Sequence, residues 1–123
     1  MVNNGEELDA PRIDVIDFSD PASLVTPANS IDISTYGGGV NSVAVSNGVL
    51  AAAIEGESKT DNGVVAIFDA ATLELLDKAT VGALPDMVTF TPDGKTIITA
   101  DEGEPNSDYT IDPVGSVSII TLN

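Results

Sequence analysis

The feature of the sequence that most constrains the fold is an internal repeat. A β-rich segment, a glycine turn, a Glu-Gly-Glu motif and a second β-rich segment occur twice in the same order. The first copy comprises residues 43–45, 47–48, 55–57 and 63–67, and the second comprises residues 88–90, 93–94, 102–104 and 115–119. The offset between copies grows from 45 residues (43 to 88) to 52 (67 to 119), so the copies differ by loop insertions and not by strand order. A period of ~45 residues with four strands is the size of one propeller blade.

The repeat therefore predicts an all-β fold, a β-propeller fragment of about two to two and a half four-stranded blades. Nine strands are expected, because short β-rich runs alternate with turn signals along the chain. They comprise residues 13–18, 30–34, 41–46, 49–55, 63–69, 75–81, 86–91, 96–101 and 116–122. Residues 70–78 also fit a short helix, although residues 69–72 fit a turn between strands equally well. A series of hairpins in a β-sandwich is the alternative architecture, but it would not require matching loops at matching places.

The strand assignment divides the chain into four segments. We expect a flexible N-terminal segment at residues 1–11, the two outer strands of a partial blade at 12–35, a complete blade at 36–82, and the first three strands of the following blade at 83–123. Blades bury their faces against neighbours, so a chain with two partial blades leaves sheet faces and edges exposed. The expected partners are therefore the remaining blades of a parent propeller, and the isolated chain is expected to self-associate.

Two hairpin turns can be assigned by their chemistry. Asn47 and Gly48 suit a two-residue type I′ turn, in which both central residues have positive φ. At residues 91–95, a type I turn over Pro92 and Asp93 is expected to place Gly94 in the left-handed position of a bulge. The alanine run at residues 51–53 is expected to allow close packing between sheets.

Composition excludes several classes of function. The formal net charge is −16, from 20 acidic and 4 basic residues, so nucleic acid and anionic membrane surfaces would be repelled. Histidine and cysteine are absent, which excludes a Ser-His-Asp triad, a thiolate nucleophile, a zinc site of the usual ligands and a disulfide within this chain. The chain has no run that approaches ~18 apolar residues, so no transmembrane helix is expected. Residues 1–10 lack the basic and apolar regions of a signal peptide, so a signal of an exported parent is expected upstream.

One family resemblance extends over most of the chain. Residues 85–95, Pro-Asp-Met-Val-Thr-Phe-Thr-Pro-Asp-Gly-Lys, and the following residues 97–100 resemble the start of a blade in propellers of the YVTN and WD40-like type. The likeness continues at residues 37–45, 81–88, 102–105, 108–110, 112–113 and 115–119. Taken together, residues 12–121 resemble the choice-of-anchor I family, which includes proteins similar to mesenchyme-specific cell surface glycoprotein.

The resemblance implies a larger secreted or surface-tethered parent with more blades, and therefore an extracellular or cell-surface location. Some members are described as alkaline phosphatases or phytase-like esterases. No nucleophile in this segment matches such an activity, so the resemblance implies the fold and the location but no catalytic activity for this segment.

Acidic loops define the candidate binding site. Strand direction alternates within a blade, so the loops that join the second strand to the third lie on one face of the disc. Clustered carboxylates repel one another, and an oxygen-preferring cation such as Ca²⁺ would neutralise them. The candidate metal ligands are Glu55, Glu57, Asp101, Glu102, Glu104, Asp108 and Asp112. Glu102 and Glu104 are the best of these, because side chains two apart in an extended stretch point to the same side and Gly103 leaves room between them.

The simpler interpretation is that these acids are solvated loop residues, since no Asp-x-Asp-x-Asp-Gly loop is present. The three glycines at residues 37–39 fit a tight bend between blades better than a phosphate site, because no lysine follows and no helix begins there. Tyr36 and Tyr109 are interpreted as loop anchors with a polar tip.

These observations favour a non-catalytic segment of a secreted or cell-surface protein. It would act as an interaction scaffold whose acidic loop face binds Ca²⁺, a protein or another cationic ligand, and no catalytic residue or other cofactor is assigned. The alternative is part of a metal-dependent phosphoesterase of the alkaline phosphatase or phytase type, with catalytic metal ions on the same face. Such an enzyme needs positive groups for the substrate phosphate, and these loops offer only Lys59, so other blades would have to supply them.

Overall fold

The structure is a computed structural model that describes residues 1–4, 10–23 and 29–123. These residues contain ten β-strands and no helix, which confirms the predicted all-β class. The strands are β1 (Val2–Asn3), β2 (Arg12–Val15), β3 (Asn29–Asp32), β4 (Gly39–Ser46), β5 (Val49–Glu55), β6 (Asn62–Asp69), β7 (Leu75–Ala83), β8 (Pro85–Phe90), β9 (Thr96–Asp101) and β10 (Ser116–Thr121).

The strands form three antiparallel sheets, in the orders β1-β2-β3, β4-β5-β6-β7 and β8-β9-β10. The second sheet is a complete four-stranded unit, and the third repeats its first three strands. Residues 43–45 lie in β4 and residues 88–90 lie in β8, so the two copies of the repeat occupy different sheets, as successive blades would. The arrangement is consistent with a fragment of a β-propeller.

Strand β1 is the one described strand that the sequence did not predict. It pairs with β2 through Val2 opposite Ile13 and Asn3 opposite Arg12. The segment expected to be flexible, residues 1–11, therefore begins with a short edge strand. Residues 5–9 of that segment and residues 24–28 of the partial blade lie outside the described residues. Two residues are too few to show an alternating pattern, which explains why β1 was missed.

The sheets pack face to face around two apolar layers. The layer between the first and second sheets contains Ile13, Ile31, Ile33, Val40, Leu50, Ala52, Ile54, Ala66 and Phe68. The layer between the second and third sheets contains Ala51, Ala53, Val65, Ile67, Val81, Val88 and Ile97. Successive residues of β5 thus face opposite layers, as strand pleating requires. Ala51, Ala52 and Ala53 are each 0% exposed, so the predicted close packing at residues 51–53 is confirmed.

Both predicted hairpin turns are present. Asn47 and Gly48 have φ of 49° and 78°, as a type I′ turn requires. Gly94 has φ of 69°, and its N–H donates to the carbonyl of Thr91 at 2.8 Å. The Asp93 carboxylate accepts hydrogen bonds from the Thr91 hydroxyl at 2.6 Å and the Lys95 N–H at 3.1 Å, and these bonds lower the pKa of Asp93.

Residues 70–78 form a turn and the start of β7, so the helical alternative was wrong. The Asp69 carboxylate accepts hydrogen bonds from the N–H groups of Ala71 and Thr72, both at 2.8 Å, and they lower the pKa of Asp69. Leu73 has φ of 63°, and its side chain packs against the first apolar layer. The turn therefore reverses the chain and also contributes to the core.

Candidate functional site

The site is formed by loops at one end of the sheets, which we call the loop face: residues 56–61 between β5 and β6, and residues 102–115 between β9 and β10. The two loops touch through an ion pair between Lys59 Nζ and Glu104 Oε2 at 3.3 Å. The connections into β4 and β8 reach the same end. Gly38 N–H donates to the Glu55 carbonyl at 2.9 Å, and Glu102 N–H donates to the Leu84 carbonyl at 2.9 Å. The hairpin turns at residues 47–48 and 91–95 lie at the opposite end.

The glycine run packs closely against the end of β5. A Cβ atom on Gly37 would lie 2.1 Å from the Glu55 carbonyl oxygen, and one on Gly38 would lie 2.7 Å from the Gly56 carbonyl oxygen. Both distances are far below van der Waals contact, so a side chain cannot be accommodated without backbone movement. The geometry is that of the tight bend the sequence predicted at residues 37–39.

Asp101 lies inside the molecule and not on the loop face. Its side chain is 3% exposed. Oδ1 accepts a hydrogen bond from the Thr99 hydroxyl at 2.8 Å. Oδ2 accepts from the hydroxyls of Ser116 at 2.9 Å and Ser118 at 2.7 Å, and from the Gly82 N–H at 3.2 Å. One carboxylate therefore joins the end of β7 to β9 and β10, and it links the second sheet to the third.

Glu55 and Glu104, also predicted ligands, have partners in other strands or loops. Glu55 is half-buried, and its Oε2 accepts a hydrogen bond from Asn41 Nδ2 at 3.2 Å. Glu104 forms the ion pair with Lys59, in which both side chains are about half exposed. Exposed pairs of this kind contribute roughly 1 kcal/mol or less, so the pair orients the two loops more than it stabilises the fold.

The remaining predicted ligands, Glu57, Glu102, Asp108 and Asp112, are exposed. Gly103 has φ of 64°, so residues 102–104 are not in the extended conformation we expected. A Cβ atom on Gly103 would lie 2.7 Å from the Pro113 carbonyl oxygen and the Gly115 nitrogen, because the two ends of the loop meet there. Among residues 1–4, 10–23 and 29–123, no three acidic side chains form a group that could hold one metal ion.

Residues 102–115 have an ordered internal structure that the sequence reasoning missed. Asn106 organises the loop: its N–H donates to the Ile111 carbonyl at 3.0 Å, and its Oδ1 accepts from the Ile111 N–H at 3.0 Å. Its Nδ2 donates to the Thr110 hydroxyl at 2.8 Å, and its carbonyl accepts from the Tyr109 N–H at 3.1 Å. Asn-Ser-Asp at residues 106–108 is a turn signal that could have revealed this structure.

The ordered loop exposes apolar side chains at its surface. Tyr109 is 79% exposed with φ of 57°, Ile111 is 54% exposed and Val114 is 87% exposed. The interpretation of Tyr109 as a loop anchor was therefore wrong. Tyr36, by contrast, packs edge-on against Phe68 with ring centroids 6.0 Å apart, so it does anchor its segment to the core. Carboxylates beside exposed apolar groups are suited to binding a partner that has both cationic and apolar groups.

Three stacked antiparallel sheets, two of which carry the same internal repeat, are consistent with a repeat scaffold of the propeller type. Comparison with family models gives the particular family: the chain matches the choice-of-anchor I domain over residues 2–123 and belongs to that family. A comparison with curated proteins gave no match. The family membership indicates a domain associated with the cell surface or the extracellular space. Within the described ranges, no helix has the length and apolar character needed to cross a bilayer.

Proposed function

We propose that this chain is a non-catalytic segment of a secreted or cell-surface protein and acts as an interaction scaffold through the loop face. The observation that carries the proposal is the β9–β10 loop (residues 102–115), which is held by its own hydrogen bonds and exposes Tyr109, Ile111 and Val114. Calcium-dependent turnover of a chromogenic phosphate ester by the full-length parent would overturn the non-catalytic part of the proposal.

The chemistry of the loop supports a cationic partner with apolar contact groups. Exposed tyrosine and aliphatic side chains supply contact area, and aromatic residues are frequent among those that dominate binding energy. The loop is already ordered by Asn106, so binding it would incur little loss of conformational entropy. The net charge of −16 favours encounter with positively charged partners and repels acidic ones.

Replacing Tyr109 with serine tests this proposal. A fluorescent lysine peptide with leucine at two positions serves as the probe, and an all-lysine peptide of the same length measures the contribution of charge alone. We expect the leucine-containing peptide to bind the native chain more tightly, and Tyr109→Ser to weaken that binding about tenfold, or about 1.4 kcal/mol. Fluorescence anisotropy at fixed ionic strength is the measurement.

The matched control is Phe18→Ser. Phe18 is also a largely exposed aromatic residue, 72% exposed, but it follows β2 at the end of the sheets opposite the loop face. Its replacement should leave binding of both peptides unchanged. Equal affinity of the two peptides, or an equal loss in both variants, would rule out recognition by the loop.

Calcium binding by the loop face is a separate part of the proposal. The exposed carboxylates do not converge on one point in the described residues, so we expect weak affinity, with a Kd on the order of 10⁻³ M, as in weak extracellular calcium modules. Isothermal titration should give a larger heat with Ca²⁺ than with Mg²⁺. Glu102→Gln should reduce the heat, whereas Glu74→Gln, an exposed acid in the turn before β7, should not. Identical responses to the two ions would indicate nonspecific screening and contradict the calcium site.

A further inference from the structure

Tyr109 presents an accessible phenol at the surface of the β9–β10 loop. The residue is 79% exposed and has φ of 57°, so its backbone is in the left-handed region that few residues other than glycine adopt. Its N–H donates to the Asn106 carbonyl at 3.1 Å, which fixes the backbone while the side chain stays in solvent. The loop therefore holds a tyrosine hydroxyl in a defined position where another protein can reach it.

The segment around Tyr109 is acidic. Residues 102–115 include four acidic residues and no basic residue. Three of these acids are exposed and lie within five positions of the tyrosine: Glu104, Asp108 and Asp112. Glu104 forms the ion pair with Lys59 at 3.3 Å, whereas the other two acids form no salt bridge with a described residue. The tyrosine hydroxyl is therefore surrounded in sequence by negative charge that is open to a basic protein.

The second of the two tyrosines, Tyr36, has a different setting. It is half-buried, and its ring packs edge-on against Phe68 with centroids 6.0 Å apart. One acidic residue, Asp32, lies within five positions of it. The two tyrosines differ in both exposure and local charge, so Tyr36 serves as an internal control for any chemistry at Tyr109.

We propose that Tyr109 is an acceptor for enzymatic sulfation. A sulfotransferase that uses a nucleotide-linked sulfate needs basic groups to bind its anionic donor, and such a surface attracts an acidic segment. The family indicates a domain at the cell surface or in the extracellular space, and tyrosine sulfation is a modification of exported proteins. The modification does not depend on what the loop face binds, so the inference goes beyond the proposed scaffold function.

The transfer involves no change of oxidation state. The Tyr109 hydroxyl oxygen attacks the sulfur of the phosphosulfate donor, an S–O bond to the phenol forms, and the S–O bond to the phosphate of the donor breaks. The nucleotide phosphate leaves with the bonding electron pair, and a base of the transferase accepts the phenol proton. The product is an aryl sulfate ester, whose fixed negative charge would increase the attraction of the loop face for cationic partners.

Incubation of the purified chain with a tyrosylprotein sulfotransferase and adenosine phosphosulfate tests the inference. Mass spectrometry of proteolytic peptides should show a sulfate ester on Tyr109 and none on Tyr36, and Tyr109→Phe should abolish incorporation. Asp108→Asn combined with Asp112→Asn should lower kcat/KM about tenfold, because electrostatic attraction raises association rates by this factor or more. Asparagine at position 108 retains an oxygen for the hydrogen bond from Thr110, so the loop should keep its structure.

Glu74→Gln combined with Asp77→Asn is the matched control, since it makes the same change in net charge at exposed positions before and within β7. It should leave incorporation unchanged. Absence of incorporation, equal incorporation at the two tyrosines, or an equal loss in the two double variants would overturn the inference.

A phosphate ester on the same hydroxyl is the competing modification, and it adds nearly the same mass. The chain secreted from cultured animal cells behind an export signal should carry the added group on Tyr109, and alkaline phosphatase should not remove it. Removal by the phosphatase would identify a phosphate ester and overturn the inference, as would an unmodified tyrosine.

Discussion

Asp101→Ala is expected to lower the free energy of unfolding by about 3 kcal/mol, because hydrogen bonds to a buried carboxylate contribute about 1.5–3 kcal/mol each and water replaces only part of what is lost. The Asp101 side chain is 3% exposed and accepts hydrogen bonds from Thr99, Ser116, Ser118 and Gly82. Its removal leaves these donors without their acceptor at the junction of the second and third sheets. Urea denaturation gives the change directly.

Asp108→Ala is the control for this prediction. Asp108 is exposed in the β9–β10 loop, where its carboxylate accepts one hydrogen bond, from Thr110 at 3.1 Å. Its replacement should change the free energy of unfolding by no more than about 0.5 kcal/mol. Asp101→Asn retains the shape of the side chain and one acceptor oxygen. Its change in the free energy of unfolding should therefore lie between those of Asp101→Ala and Asp108→Ala. Equal effects at positions 101 and 108 would contradict the role assigned to Asp101.

We expect the isolated chain to self-associate through the outer face of the third sheet, which is formed by Met87, Val117 and Ile119. In the second sheet the matching residues Val65 and Ile67 are 0% and 5% exposed, because the third sheet covers them. Val117 and Ile119 are 65% and 70% exposed. Burial of apolar surface is favourable by about 25 cal/mol per Å², so the isolated chain should self-associate through this face. Light scattering should give a mass above the 12.6 kDa of one chain.

Val117→Lys combined with Ile119→Lys should return the chain to the mass of a monomer, because burial of two lysines against a second copy is unfavourable. The control carries the same change in charge at other exposed apolar positions, Phe18→Lys with Val45→Lys, and should leave the association unchanged. A native chain that is monomeric at all concentrations would show that the outer face does not drive association.

The strands and hairpins were predictable because their signals are local. The β-rich runs at residues 49–55 and 96–101, bounded by turn signals, gave β5 and β9 with the observed boundaries. Asn47-Gly48 identified its turn because few residues adopt positive φ at both central positions. The predictions that were missed or wrong also have local causes. β1 is too short to show a period, and the sequence of residues 70–78 is compatible with both a helix and a strand until β6 provides a pairing partner.

The candidate site was predictable only in part. Sequence reasoning placed the acidic loops at one end of the sheets but treated Asp101 as one of their exposed ligands. Alternation along β9 contained the missing signal, since Asp101 shares a face with Ile97 and Thr99, which are both 0% exposed. Its partners Ser116 and Gly82 could not have been identified, because they reach it from other strands. The exposure of Tyr109 likewise depends on how the β9–β10 loop folds on Asn106.

The sequence by itself determined the order of the strands along the chain and the position of the tight turns, since each depends on residues a few positions apart, and matching the chain against itself gave the repeated unit. Only the tertiary structure decided which carboxylates are internal and which apolar side chains of the described residues are exposed. Those properties depend on the packing of one sheet against the next, which brings together residues far apart in the chain. Asp101 and Glu104 illustrate the difference: they are three residues apart, yet one joins two sheets and the other faces solvent.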